Sequence, residues 1–181
     1  MDFSHLTDEQ LVEKIRANDS ELYSEIINRY QAKLSHYLKK FISHESELED
    51  VLQEVFIKTY KNLYGFDIEK KFSSWIFRIT HNEAINNIKK RKKELLILDE
   101  AEWQIIDEKM SLEKEVERAI DRELIEQALL KIKIKYREPL ILFFLEEKSY
   151  EEISEILRIP VSTVGVLIMR GKKKLQQYLS K

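Results

Sequence analysis

The chain has 181 residues, of which 43% are hydrophobic and 35% are charged, and its formal net charge at pH 7 is −2. The absence of cysteine excludes a disulfide framework and any cysteine-ligated metal site, and it favours an intracellular, cytoplasmic protein. Three glycines and two prolines are too few for the turns of a β-sandwich or barrel, so the composition favours helices.

The first three helices are predicted from capping signals and apolar spacing. A capping box of the form S/T-x-x-E/Q begins at Thr7 and predicts a short first helix. From Ser20 to Ser43, apolar residues recur at spacings of three and four, which predicts a long amphipathic helix. A second capping box at Ser46 predicts a third helix, which Gly65 is expected to end.

A loop and a fourth helix complete the first predicted domain. Residues 65–71 are predicted to form the loop, after which Ser73 or Ser74 is expected to cap the helix. That helix runs into a basic block at residues 89–93. We therefore place the first domain at residues 1–93.

The remainder of the chain is predicted to hold a linker and a second domain. Residues 94–118 carry many carboxylates without a clear period, so we expect a flexible acidic linker, which could be helical from Ser111 onward. The second domain, residues 119–181, is predicted to contain four helices. The fold class is therefore all-α, with two small helical domains joined by the linker. The four helices are expected at about 119–133, 136–146, 150–157 and 161–179, the third opened by a capping box at Ser149.

The charges are segregated along the chain. Residues 69–93 and residues 158–181 each carry a net charge of +6, whereas residues 94–123 carry −7. Two basic blocks on two domains indicate two surfaces that contact a polyanion. The ordinary alternative for either block is a solvated lysine-rich helix face.

The second domain has the layout of a helix-turn-helix. A short capped helix is followed by a tight connection at residues 158–160 and by a second helix whose outer face becomes basic. Such a motif places its second helix in the major groove of DNA. Two helices packed in an ordinary bundle would give the same pattern.

The fourth helix of the first domain carries residue types that suit unpaired DNA. Trp75 could stack on a base, amides such as Asn82 and Asn87 could bond base edges, and the basic block could neutralise phosphates. For any single aromatic residue, however, a place in the core is the simpler explanation.

Three blocks of sequence together resemble a bacterial RNA polymerase sigma factor of the extracytoplasmic-function group, group 4 of the sigma-70 family. They are residues 49–56, residues 72–82, and residues 149–153 with 159–164. The resemblance implies an alternative sigma factor that recruits core RNA polymerase to promoter DNA and melts it. It implies that the first domain is region 2, which binds the polymerase clamp and the −10 element, and that the second is region 4, which binds the −35 element. It also implies an anti-sigma factor as a partner.

The same resemblance assigns site residues to the first domain. Asp50, Gln53 and Glu54 match the clamp-binding positions of the family, and their spacing places them on one helix face. The loop from Leu63 to Lys71 matches the loop that captures a flipped base of the −10 strand. The −10 candidates are Tyr64, Phe66, Arg78, Asn82, Asn86, Lys89 and Lys90.

The recognition helix of the second domain departs from the family pattern. Relatives commonly have polar and basic residues where this chain has Gly165 and a run of apolar residues, so thymine methyl groups become expected targets. Alternatively, this apolar face binds protein. Arg158 stands at a turn where relatives often have glycine, so a left-handed backbone there would be strained. The −35 candidates are Ser162, Thr163, Val166, Met169, Arg170 and Lys173.

Catalytic chemistry is not predicted. The four histidines have no metal-ligand spacing, and the three glycines stand apart, so no phosphate-binding loop is formed. We expect no enzyme activity, no metal, no cofactor and no small-molecule substrate. The apolar runs are too short to cross a bilayer, so no membrane insertion is expected either.

Two other functions remain open at this point. A dimeric helix-turn-helix regulator would bind an operator without polymerase. A helical adaptor protein would bind a partner through residues 165–169 and would lack salt-dependent affinity for DNA.

Overall fold

The computed structural model describes residues 3, 5–17, 19–98, 125, 128–129 and 131–179. These ranges hold seven α-helices, two short 3-10 turns and no strand, which confirms the predicted all-α fold. The turns are Ser20–Leu22 and Leu63–Gly65. The helices are α1 Asp8–Arg16, α2 Tyr23–Leu38, α3 Glu45–Asn62, α4 Phe72–Leu98, α5 Ile134–Phe144, α6 Tyr150–Leu157 and α7 Val161–Leu179.

Two of the predicted capping boxes are confirmed. The Gln10 N–H donates to Thr7 Oγ1 over 3.2 Å, while the Thr7 N–H donates to Gln10 Oε1 over 2.9 Å. At the start of α6, Ser149 and Glu152 exchange the equivalent bonds over 3.2 and 2.8 Å. Both boxes satisfy N–H groups that the first turn of a helix leaves without partners.

Two other predicted helix starts are wrong. Helix α3 begins at Glu45, one residue before Ser46, and no side chain caps it. Helix α4 begins at Phe72, before both expected serine caps, because Glu9 of α1 supplies the cap from elsewhere in the chain. Its Oε1 accepts the Phe72 N–H over 2.9 Å. A partner so distant in sequence is invisible to a local capping pattern.

Two helix lengths also differ from expectation. Helix α2 ends at Leu38 rather than near Ser43, and α4 continues to Leu98, past the domain boundary expected at residue 93. Most of the predicted linker, and most of the helix expected at 119–133, lie outside the described residues.

Helices α1–α4, here called the first lobe, pack around a core rich in aromatic residues. Tyr37, Phe72 and Phe77 are among its largest fully buried side chains. The ring centroids of Tyr37 and Phe77 lie 5.5 Å apart in an edge-to-face arrangement. This geometry is the one that aromatic quadrupoles favour.

Helices α5–α7, here called the second lobe, dock on the first lobe, with α6 packed against α4. Lys148 reaches across this boundary, where its Nζ lies 4.7 Å from the centroid of the Phe77 ring and donates to Ser73 Oγ over 3.3 Å. Buried apolar residues of both lobes belong to one continuous cluster. The arrangement of the lobes, which the sequence left open, is therefore a closed one.

Candidate nucleic-acid interface

A polar strip on α3 holds the three residues matched to clamp binding. Asp50, Gln53 and Glu54 are all exposed, whereas Leu52 and Val55 on the other side of the helix are buried. The Glu54 carboxylate lies 3.4 Å from the Lys58 ammonium, one helical turn away. The strip thus offers carboxylate and amide groups to an incoming partner.

The loop between α3 and α4 is anchored by Arg16 at the end of α1. Its Nε donates to the Leu63 carbonyl over 3.0 Å, and its guanidinium also donates to the Phe66 carbonyl. Tyr64 stands out from the loop with 71% of its surface exposed, and its hydroxyl lies 3.3 Å from the Arg16 carbonyl. Sequence reasoning missed Arg16, because nothing in the local pattern links it to residues nearly fifty positions away.

The two aromatic candidates of this loop are placed differently. Tyr64 is exposed, whereas only 4% of Phe66 is exposed. Phe66 lies among the rings of Phe72 and Trp75, at centroid distances of 5.4 and 5.2 Å. In this closed arrangement Phe66 is therefore part of the core, and Tyr64 is available to a ligand.

The remaining −10 candidates form a line along α4. Arg78, Asn82 and Asn86 are separated by four residues each, so they share one helix face, and Lys89 and Lys90 continue it. Both asparagines and both lysines are exposed. Arg78 is half-buried at the boundary with the second lobe, where burial and the nearby Arg158 lower the pKa of its guanidinium.

Helix α7 presents the residues matched to the −35 element. Val164 and Ile168 on its inner side are buried. Thr163 is half-buried, and the apolar candidates Val166 and Met169 are 40% and 63% exposed. The remaining candidates, Ser162, Arg170 and Lys173, are exposed.

The glycines of α7 differ in their packing. A Cβ atom at Gly165 would meet the Tyr150 ring at 3.4 Å, an ordinary contact. A Cβ atom at Gly171 would lie 2.8 Å from Leu140 Cδ1 and 3.1 Å from the Tyr136 carbonyl oxygen. Packing against α5 therefore requires glycine at position 171, whereas nothing in the structure explains glycine at position 165.

Arg158 ends α6 in the left-handed conformation, with φ 54° and ψ 47°. The left-handed backbone considered for this turn is therefore present at a residue other than glycine. A side chain with a Cβ atom is held there at a cost of about 1–2 kcal/mol.

Ionisable groups are buried between the lobes. Burial raises the pKa of Glu138 to about 7 and that of Glu146 to about 6, and both carboxyls act on the buried Tyr37 hydroxyl of α2, whose pKa is raised mainly by its own burial. Tyr37 Oη lies 3.3 Å from Nδ1 of His81, whose burial lowers its pKa to about 4. No local sequence pattern signals this cluster, because its members come from helices far apart in the chain.

Two kinds of feature are absent from the described part of the chain. No group of three or more histidine, aspartate or glutamate side chains there could hold a metal ion. None of the helices in the same ranges is long and apolar enough to span a lipid bilayer.

Two family models match the chain. Residues 26–94 match sigma-70 region 2, and residues 122–175 match sigma-70 region 4. The first match contains α3, the following loop and most of α4, and the second contains α5, α6 and most of α7.

The similarity to known proteins extends over nearly the full length of the chain. The ECF RNA polymerase sigma factor SigW of Bacillus subtilis is 32% identical, over 93% of this chain and 94% of its own. The RNA polymerase sigma-H factor of Pseudomonas aeruginosa is 30% identical, over 95% and 93%. Among solved structures, the sigma factor RpoE in complex with the anti-sigma factor NepR from Bartonella quintana superposes with a TM-score of 0.72. It is 20% identical over 87% of this chain and 96% of its own, which supports the fold.

Proposed function

Because the chain belongs to the sigma-70 family, as an extracytoplasmic-function sigma factor that directs RNA polymerase to promoters, we propose that its two lobes divide this work. The domain at residues 1–93 binds core polymerase and the −10 element. The domain at residues 119–181 binds the −35 element, and residues 94–118 connect the two. The observation that carries this proposal is that an acidic strip on α3 and a basic, amide-rich face on α4 are both exposed on one lobe.

Core polymerase binds the strip of Asp50, Gln53 and Glu54. Exposure of all three side chains supports this role, because a partner can reach them without unfolding α3. Carboxylates and an amide on one helix face suit a basic partner surface, which they would meet through charge-assisted hydrogen bonds.

The −10 strand lies along α4 and reaches the loop before it. Asn82 and Asn86 bond base edges, Lys89 and Lys90 neutralise phosphates, and Tyr64 is exposed for stacking. Arg78 faces α6 in the closed arrangement. Contact between Arg78 and DNA therefore requires the lobes to separate, whereas contact of a base with Phe66 requires the neighbouring rings of Phe72 and Trp75 to move.

The −35 duplex binds the exposed face of α7. Ser162 and Thr163 lie in its first turn, where the N-terminal residues of a recognition helix meet base edges. Val166 and Met169 are exposed as contacts for thymine methyl groups, and Arg170 and Lys173 are exposed for phosphates.

An anti-sigma factor is a further proposed partner, since a similar fold was solved in complex with one. We also propose that the chain has no enzyme activity of its own and acts in the cytoplasm. A dimeric operator-binding regulator and a protein adaptor are not supported, because neither requires the region 2 sequence that covers residues 26–94.

Charge reversal on α3 tests the core-binding assignment. We expect Asp50→Lys and Glu54→Lys each to weaken capture of the chain by immobilised core RNA polymerase at least tenfold, because close like charges replace attraction with repulsion. The matched control is Glu13→Lys, which makes the same charge change at an exposed position of α1. Equal capture of all three variants would show that the strip is not part of the interface with core polymerase.

A further inference from the structure

The outer side of α7 combines exposed apolar and cationic side chains. Val166 and Met169 are 40% and 63% exposed, and their spacing of three residues places them on one side of the helix. Arg170 and Lys173 follow them by four residues each, so they lie on the same side, and both are exposed. Helix α7 contains no aspartate or glutamate that would balance these charges. The four residues therefore form an apolar strip bordered by cations, here called the α7 face.

The basic side of α4 has a different character. Lys89 and Lys90 are exposed there, but none of the side chains described along α4 is a large exposed apolar residue. The α7 face therefore suits a partner that offers apolar groups together with negative charge, since contact would bury the strip while the cations are neutralised.

One segment of this chain has both properties. Residues 99–108, here called the acidic segment, contain five carboxylates and no lysine or arginine, and they lie outside the described residues. Large apolar residues stand in the middle of this sequence, with carboxylates on both sides of them. The segment thus complements the α7 face both in charge and in hydrophobicity. The apolar residues are Trp103, Ile105 and Ile106, and the carboxylates are Asp99, Glu100, Glu102, Asp107 and Glu108.

The length of the chain allows the acidic segment to reach α7. Residues 109–124 connect the segment to Ile125, which packs against the buried apolar cluster. A connection of this length can extend over roughly 50 Å, whereas the 19 residues of α7 span only about 28 Å. Attachment to the same chain raises the effective concentration of the segment at α7 to on the order of 1 mM. A weak contact is therefore enough to keep the face occupied.

We propose that the acidic segment docks on the α7 face when the chain is free of polymerase and DNA. Its apolar residues pack on Val166 and Met169, and its carboxylates lie beside Arg170 and Lys173. No bond is made or broken. The docking itself does not depend on the promoter assignments, whereas its consequence rests on the proposed function. Since that function assigns the same face to the −35 duplex, the acidic segment and the duplex compete for α7.

Disulfide cross-linking of the full-length chain tests the docking, because the natural sequence has no cysteine that would interfere. The test variant carries Gln104→Cys in the acidic segment and Met169→Cys on the α7 face. The matched control carries Gln104→Cys and Tyr178→Cys, since Tyr178 is also exposed but lies on the opposite side of the same helix. We expect the test variant to cross-link about tenfold faster at about 0.15 M salt, and the difference to shrink at about 1 M salt as charges are screened.

Removal of the cations provides a second measurement. Arg170→Gln and Lys173→Gln, added together to the test variant, should slow its cross-linking severalfold, because exposed ion pairs are lost. The same changes should leave the control variant unaffected. Equal rates in the test and control variants at low salt would overturn the proposal. So would cross-links that join two chains rather than one, which non-reducing gel electrophoresis separates by size.

Sheared genomic DNA added to the same reaction tests the competition. We expect it to slow cross-linking of the test variant, because DNA phosphates occupy Arg170 and Lys173. A rate that DNA leaves unchanged would contradict the competition and leave the docking in place. Failure of the docking would not affect the assignment as a sigma factor, since the cross-linking reaction contains no polymerase.

Discussion

Lys71 of the first lobe donates a hydrogen bond from its Nζ to Oε1 of Glu152 in the second lobe, over 3.2 Å. Since 70% of the Lys71 side chain is exposed, water screens this ion pair, which contributes no more than about 1 kcal/mol. The other oxygen of Glu152 accepts the Ser149 N–H and thereby caps α6. Docking of the lobes must therefore depend mainly on the buried groups between them.

Among those groups, the carboxyl of Glu138 is expected to make the free energy of unfolding of the chain depend on pH. Burial raises its folded-state pKa from 4.5 to about 7, so between these pH values the folded state holds a proton that the unfolded state has released. Stability from this group is complete below pH 4.5 and is lost as the pH rises toward 7. His81 acts in the opposite direction between pH 6.5 and about 4, because its pKa is lowered.

Comparison of Glu138→Gln with the unchanged chain isolates the contribution of the Glu138 carboxyl to the pH dependence of stability. We expect the difference in free energy of unfolding, measured in urea, to grow in favour of the variant between pH 4.5 and 7, by on the order of 1–3 kcal/mol. Glu146→Gln should show the same trend over a narrower window that ends near pH 6. A difference that stays constant with pH would show that neither carboxyl is protonated between the lobes.

Replacement of Arg158 by glycine should stabilise the chain. The left-handed backbone costs about 1–2 kcal/mol for a residue with a Cβ atom. Glycine avoids this cost, but part of the gain is lost because glycine has more conformational freedom in the unfolded state. We expect a net gain of about 0.5–1 kcal/mol in the free energy of unfolding. Arg170→Gly, inside α7, should instead lose about 1 kcal/mol, and equal effects of the two changes would contradict the strain.

The three glycines should respond differently to alanine. Gly171→Ala should lower the free energy of unfolding by about 1–3 kcal/mol, because the Tyr136 carbonyl and Leu140 leave no space for a Cβ atom. Gly165→Ala should raise it by up to about 1 kcal/mol through helix propensity. Gly65 has open space around it and serves as the control. A mild effect at position 171 would mean that α5 and α7 can move apart.

The sequence predicted what local chemistry determines. The capping boxes at Thr7 and Ser149 lie entirely within four residues, and both were found. The start of α4 was missed because its cap comes from Glu9, and the anchoring of the loop was missed because Arg16 binds carbonyls in another element. Docking of the lobes has no local signal in the sequence. A helix shows the same amphipathic pattern whether its apolar face packs on a helix of its own lobe or on the other lobe.

Binding of −35 DNA should depend on salt through α7. We expect Arg170→Gln and Lys173→Gln each to weaken binding to a promoter duplex and to reduce the salt slope by about one phosphate contact. Met169→Ala should weaken binding while leaving the slope unchanged, because a methyl contact releases no counterion. Fluorescence anisotropy of the holoenzyme with labelled duplex, measured across salt concentrations, provides the test. An altered slope for Met169→Ala would contradict this division of roles.

Run-off transcription tests the central claim most directly. Core RNA polymerase is supplied with genomic fragments, with and without the purified chain, and the 5′ ends of the products are mapped. We predict new, discrete start sites that appear only when the chain is present and that Asp50→Lys abolishes. Identical transcripts with and without the chain would contradict its assignment as a promoter-directing factor.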